Sequence, residues 1–66
     1  MTSQEYRARL RAFGLTAIRL SYDGATIYQS RDGSLCTIPD PEPLSEEERE
    51  VVLQACIFTH GLTESN

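Results

Sequence analysis

Between Thr16 and Pro39 hydrophobic and polar positions alternate, and two Asp-Gly pairs, Asp23-Gly24 and Asp32-Gly33, cut the stretch into three runs rich in β-branched and aromatic residues. Alternation with a period of two puts successive side chains on opposite faces of a strand. Asp-Gly between such runs signals a hairpin, because type I′ turns need positive φ at both central residues. Two-residue turns at both pairs predict a register in which Tyr22 faces Ala25, Leu20 faces Ile27, Gln29 faces Cys36 and Ile27 faces Ile38. One face then carries Ile18, Leu20, Tyr22, Ala25, Ile27, Cys36 and Ile38 and needs a cover. The other carries Ala17, Arg19, Ser21, Thr26, Tyr28, Ser30, Leu35 and Thr37 and is mostly polar.

The flanking segments supply the cover. Thr2 and Glu5 have the spacing of a capping box, and Tyr6, Leu10 and Phe13 recur at helical intervals until Gly14 supplies a stop. A helix over about residues 3–13 follows, with Arg7 and Arg11 at i,i+4 away from its apolar stripe. After the third strand, Pro39-Asp40-Pro41-Glu42-Pro43 lacks backbone donors and holds φ near −65°, which predicts an extended spacer. Ser45 and Glu48 form a second capping box, and Glu46, Glu47 and Glu48 fill a first turn where the helix dipole favours negative charge. From Val51 to Phe58 the second helix is apolar around more than half its circumference, wider than the stripe of about 100° that a helix on a small sheet needs. The surplus fits either contact with both sheet and first helix, or an exposed patch in which Leu53, Ile57 and Phe58 meet a protein partner. His60-Gly61 marks the helix end, and Leu62 to Asn66 are expected to fray.

These elements predict one small domain over residues 1–66, ordered from about 3 to 59. Its class is α+β: a two-layer αβββα sandwich, a three-stranded antiparallel meander with both helices on one face.

Size and charge narrow the function. A chain of 66 residues buries only about 60% of its unfolded surface, which disfavours a deep enclosed active site. No apolar run approaches the roughly 18 residues of a membrane span, and the N-terminus is polar and arginine-bearing, so no membrane partner and a cytoplasmic location are expected. Two cysteines are too few for a disulfide scaffold, and the register points both Cys36 and Cys56 into the core as reduced thiols. The net charge of −4 is split: residues 1–38 carry +2 and residues 39–66 carry −6. Overall acidity argues against tight nonspecific binding to a polyphosphate but leaves room for a local basic patch.

Candidate chemistry is sparse. His60 lies four residues after Cys56, and two ligands do not make a structural zinc site; no metal or cofactor is expected. No nucleophile–base pair is visible beside the single histidine, and the four glycines belong to turns and caps rather than to a phosphate loop. On the open face the register lines up Arg19, Tyr28 and Thr37 across the three strands, with Arg31 at the nearby turn. An arginine beside an aromatic can stack on a base or hold a phosphate; it can equally be a cross-strand pair on a solvated face.

A short helix ending in Phe13-Gly14, a strand ending near Arg19, Gly24 at the first turn, Ile27-Tyr28, Asp32-Gly33, Thr37-Ile38-Pro39 and a last helix ending Leu53-Gln54-Ala55-Cys56-Ile57 together resemble the HicA-like family. That family is the toxin half of HicA–HicB toxin–antitoxin pairs, with a fold akin to a double-stranded-RNA-binding domain. The resemblance spans roughly residues 4–58 and implies RNA contacts by first-helix residues, here Arg7 and Arg11. Family toxins share a Gly-Ser-His motif at the start of the second strand, whose histidine is taken to act in RNA cleavage. Here that place reads Gly24-Ala25-Thr26, and neither Ala25 nor Thr26 ionises near neutral pH. The family's commonly basic connection after the third strand is also replaced by acidic Asp40-Pro41-Glu42-Pro43. The expectation is a non-catalytic binding module acting through a protein partner or self-association, by the last helix or a free sheet edge. The alternative is a weak RNA-binding protein or residual ribonuclease of a toxin–antitoxin system, using Arg7, Arg11, Arg19, Tyr28 and Arg31.

Overall fold

Five elements follow one another in the computed structural model, which describes residues 1–64: α1 (Ser3–Ala12), β1 (Thr16–Leu20), β2 (Ala25–Gln29), β3 (Leu35–Pro39) and α2 (Glu46–His60). The strands form an antiparallel sheet in the order β1-β2-β3. Both helices lie on the face bearing Tyr28, Cys36 and Ile38, and with Tyr6, Leu10, Leu15 and Leu53 these residues form the core. The α+β two-layer architecture is the one the sequence pattern predicts.

Both helices begin and end as their local sequences dictate. Thr2 and Ser45 accept from the backbone N–H of Glu5 and Glu48, whose carboxylates accept from the cap N–H in return. At the end of α1, Gly14 takes φ 80°, its N–H donates to Arg11 and that of Leu15 to Leu10. This is a Schellman motif, closed by contact between Leu10 and Leu15, both buried. Gly61 ends α2 in the same way, with its N–H donating to Phe58 and that of Leu62 to Ile57. Leu62, the first of the residues expected to fray, packs against the core. The expectation of fraying also covers Ser65 and Asn66, which lie outside the described residues.

The register differs from the predicted one. Both hairpins have three-residue loops: Ser21 N–H donates to Ala25 across Tyr22-Asp23-Gly24, and Ser30 N–H to Ser34 across Arg31-Asp32-Gly33. In the second loop Gly33 N–H also donates to Ser30, and Gly33 takes φ 91°, a turn followed by a left-handed glycine. One extra loop residue slips the pairing by one and flips β2. Ile27 therefore pairs with Arg19 and Thr37, while Tyr28 pairs with Ala17 and Cys36. Thr26 and Tyr28 face the core instead of water, so the expected row of Arg19, Tyr28 and Thr37 does not form. A bulge between Ala17 and Arg19 adds a second irregularity, and all five residues of β1 are exposed. Of the seven side chains assigned to the covered face, Cys36 and Ile38 are buried; Ile18, Leu20 and Tyr22 are exposed.

The proline-rich connection is a tight turn, not an extended spacer. Leu44 N–H donates to Pro41, and Pro41 is buried. Arg49 fastens the turn to the N-terminus by donating to the carbonyls of Pro41 and Met1. Cys36 is buried and Cys56 half-buried against the core, not enclosed by it; both are free thiols, pushed up by burial.

Candidate functional site

The helical layer leaves β1 uncovered, and a cleft of about 700 Å³ opens between α1 and the inner side of that strand. Each wall has a local cause. Successive turns of α1 bring Arg7 and Arg11 to one wall. The Schellman turn sets Leu15 at its end, and the β1–β2 ladder contributes Ala17, Leu20, Thr26 and Tyr28. Arg31 closes the cleft from the second hairpin loop, lying against Gly14.

The arginines differ in state. Arg7 holds Glu42 through two hydrogen bonds, Nη1 to Oε2 at 2.5 Å and Nη2 to Oε1 at 2.7 Å, the paired fork that guanidinium and carboxylate favour. The contact raises the Arg7 pKa and holds the Glu42 carboxyl below its ordinary value, chiefly through these hydrogen bonds. Arg11 and Arg31 have no ion-pair or side-chain hydrogen-bond partner among the described residues. Tyr28 is 7% exposed, and burial pushes its hydroxyl above the ordinary tyrosine range. Thr26 Oγ1 donates to Asp40 Oδ1 at 2.6 Å, anchoring the connection after β3 beneath the cleft.

Of the five residues proposed from sequence to contact RNA, the fold brings Arg7, Arg11, Tyr28 and Arg31 together here. Arg19 is separated from them: it lies on the outer face of the sheet, in a second concavity with Leu20, Ser21, Tyr22 and Ile27. Tyr28 reaches the cleft because the slipped register turned it inward, where its ring is floor rather than an exposed stacking platform. The three residues proposed as a protein interface do not act together either. Leu53 is fully buried in the core, Ile57 is half-buried against it, and Phe58 is 89% exposed. The core therefore takes Leu53, with Cys56 and Ile57 packed against it, and leaves Val51, Ala55 and Phe58 exposed.

Leu15, Ala17 and Leu20 were not singled out from the sequence as site residues, and Thr26 was named only at the place of the family's histidine. Their signal was the loop length, since three-residue loops would have put Thr26 and Tyr28 beside α1. No three His, Cys, Asp or Glu side chains among the described residues gather into a metal-holding group.

Fold and cleft together define a small two-layer α+β domain with an open, basic-rimmed cleft beside a free sheet edge. In comparisons with known proteins, no family model, no curated protein and no solved structure matches the chain.

Proposed function

We propose that this chain is a non-catalytic binding module that engages a macromolecular partner, a protein, through the α1–β1 cleft. The observation that carries the reading is the composition of the cleft: guanidinium groups at its rim, Leu15, Ala17, Leu20 and Tyr28 beneath, and an uncovered strand along one side. A mainly apolar floor beside open backbone suits a polypeptide, whereas phosphodiester recognition relies on contacts to phosphates and exposed base edges. The HicA-like resemblance supports a member without a catalytic base. Thr26, at the place of the family's histidine, lines this cleft, and its hydroxyl is engaged with Asp40.

A second reading has a specific observation behind it. Arg7, Arg11 and Arg31 converge, as an RNA-binding or residual ribonuclease role in the cytoplasm requires. The test is incubation of the full chain with a labelled RNA duplex of about 16 base pairs, the span such folds cover. The duplex is expected to remain uncut. Cleavage that disappears in Arg11→Gln overturns the non-catalytic reading.

A further inference from the structure

We infer that the occupant of the cleft is an acidic, extended segment of a partner protein that adds to β1 as a fourth strand; this rests on the cleft being the binding face.

The backbone of β1 supplies the first part of the argument. The strand has β2 on one side and no strand on the other, and every one of its residues is exposed. Ser21 N–H donates inward to Ala25, so the alternation of an antiparallel ladder turns the peptide groups of Leu20 outward. Proteins blunt such edges with bulges and charges. Here the bulge beside Ile18 and the charge of Arg19 do so for one part of the strand, while Leu20 stays 79% exposed beside the cleft. Strand addition uses this combination: main-chain hydrogen bonds supply affinity and alternate side chains supply specificity.

Charge selects the segment. Glu42 on Arg7 already shows the cleft rim holding a carboxylate in the two-pronged geometry. Arg11 and Arg31 present the same group with no acidic partner among the described residues. An added strand points every second side chain into the cleft, about 7 Å apart. Carboxylates at alternate positions thus reach the arginines, and the intervening residues lie on the outer face beside Arg19 and Ile27. A few carboxylates match the local positive charge, whereas a long polyanion would meet the net charge of −4.

The test uses the full chain in amide-resolved NMR titrations with two blocked octapeptides of one composition, four Glu alternating with four Thr, and four Thr followed by four Glu. The alternating peptide is expected to bind at least tenfold more tightly, to shift Arg11, Arg31 and residues 16–20, and to protect the Leu20 amide from exchange. Arg11→Gln and Arg31→Gln should each weaken it about tenfold, the size of one charge-assisted hydrogen bond, with core amides unmoved. Arg19→Gln should leave it within about twofold, since that side chain lies on the other face. Equal binding of the two peptides, or shifts centred on Val51 and Phe58, overturns the inference. If an RNA duplex shifts the cleft residues and neither peptide does, the acidic-strand inference and the protein reading both fall, and the cleft stands only as an RNA-binding face. If no ligand shifts the cleft, both fall.

Discussion

Arg31 lies across Gly14 so closely that a Cβ on the glycine would stand 2.5 Å from Arg31 Nε and 2.8 Å from its Cζ. The same glycine takes φ 80° to end α1. One position thus closes the first helix and seats the guanidinium at the mouth of the cleft.

Gly14→Ala is expected to cost about 1–2 kcal/mol from the left-handed backbone alone and to displace Arg31. Gly24→Ala is the reference, because Gly24 takes φ 70° in the other hairpin loop and its would-be Cβ meets only Pro43, at an ordinary contact distance of 3.9 Å. Urea denaturation should show destabilisation in both. Chemical-shift change at the Arg31 side chain should appear in Gly14→Ala alone. An unmoved Arg31 signal in that variant would show that the contact does not seat it.

Tyr28→Ala should be severe and Phe58→Asp mild. Tyr28 is a core residue, and large-to-small changes at buried aromatics cost about 3–5 kcal/mol. That is a large share of the roughly 3–10 kcal/mol available to a chain of this size. Phe58 stands in solvent, where substitutions stay within about 0.5 kcal/mol. Thermal melts followed by circular dichroism separate the two. Equal loss would mean that Phe58 is covered in solution, as in a self-associated state.

Tyr6→Phe removes the hydroxyl that donates to the Pro39 carbonyl at 2.7 Å, the hydrogen bond joining α1 to the end of β3. The ring is fully buried, and burial pushes the Tyr6 hydroxyl far above its ordinary value. The substitution leaves a carbonyl unpaired and should cost about 1–2 kcal/mol by denaturant unfolding. A loss below about 0.3 kcal/mol would show water replacing the hydroxyl.

Two carboxylates should make stability acid-sensitive. The Ser30 hydroxyl, then the Ser34 backbone, pull Asp32 down from 3.8 to about 2. Arg7 holds Glu42 below 4.5. Both folded-state values are depressed, so each contribution is complete above the unfolded value and is lost as pH falls through the folded one: between 3.8 and about 2 for Asp32, and below 4.5 for Glu42. Carboxyl-carbon NMR titrations check this directly. Ser30→Ala should raise the Asp32 midpoint, and Arg7→Ala should return Glu42 towards its ordinary value. The Glu42 effect should weaken with added salt, because both partners are substantially exposed.

The features legible in the sequence are those decided over a few residues. The capping boxes at Thr2 and Ser45 and the glycine stops at Gly14 and Gly61 each depend on a side chain or backbone conformation within one helical turn, and all four occur where the pattern places them. The strand order is similarly local, because two Asp-Gly turns join sequential antiparallel neighbours. Register was not legible at that range. Asp-Gly serves both two-residue and three-residue loops, and the choice of loop decided whether Ile27 or Tyr28 faced the helices. The cleft was still less legible, since Arg7 and Arg11 meet Tyr28 and Arg31 only when α1 lies beside the flipped β2 strand. The sequence by itself determined the elements, their ends and their order, because short-range hydrogen bonds and φ preferences govern them. The tertiary structure alone decided which face of β2 is buried and which arginines share a site, because both depend on packing between segments distant in the chain.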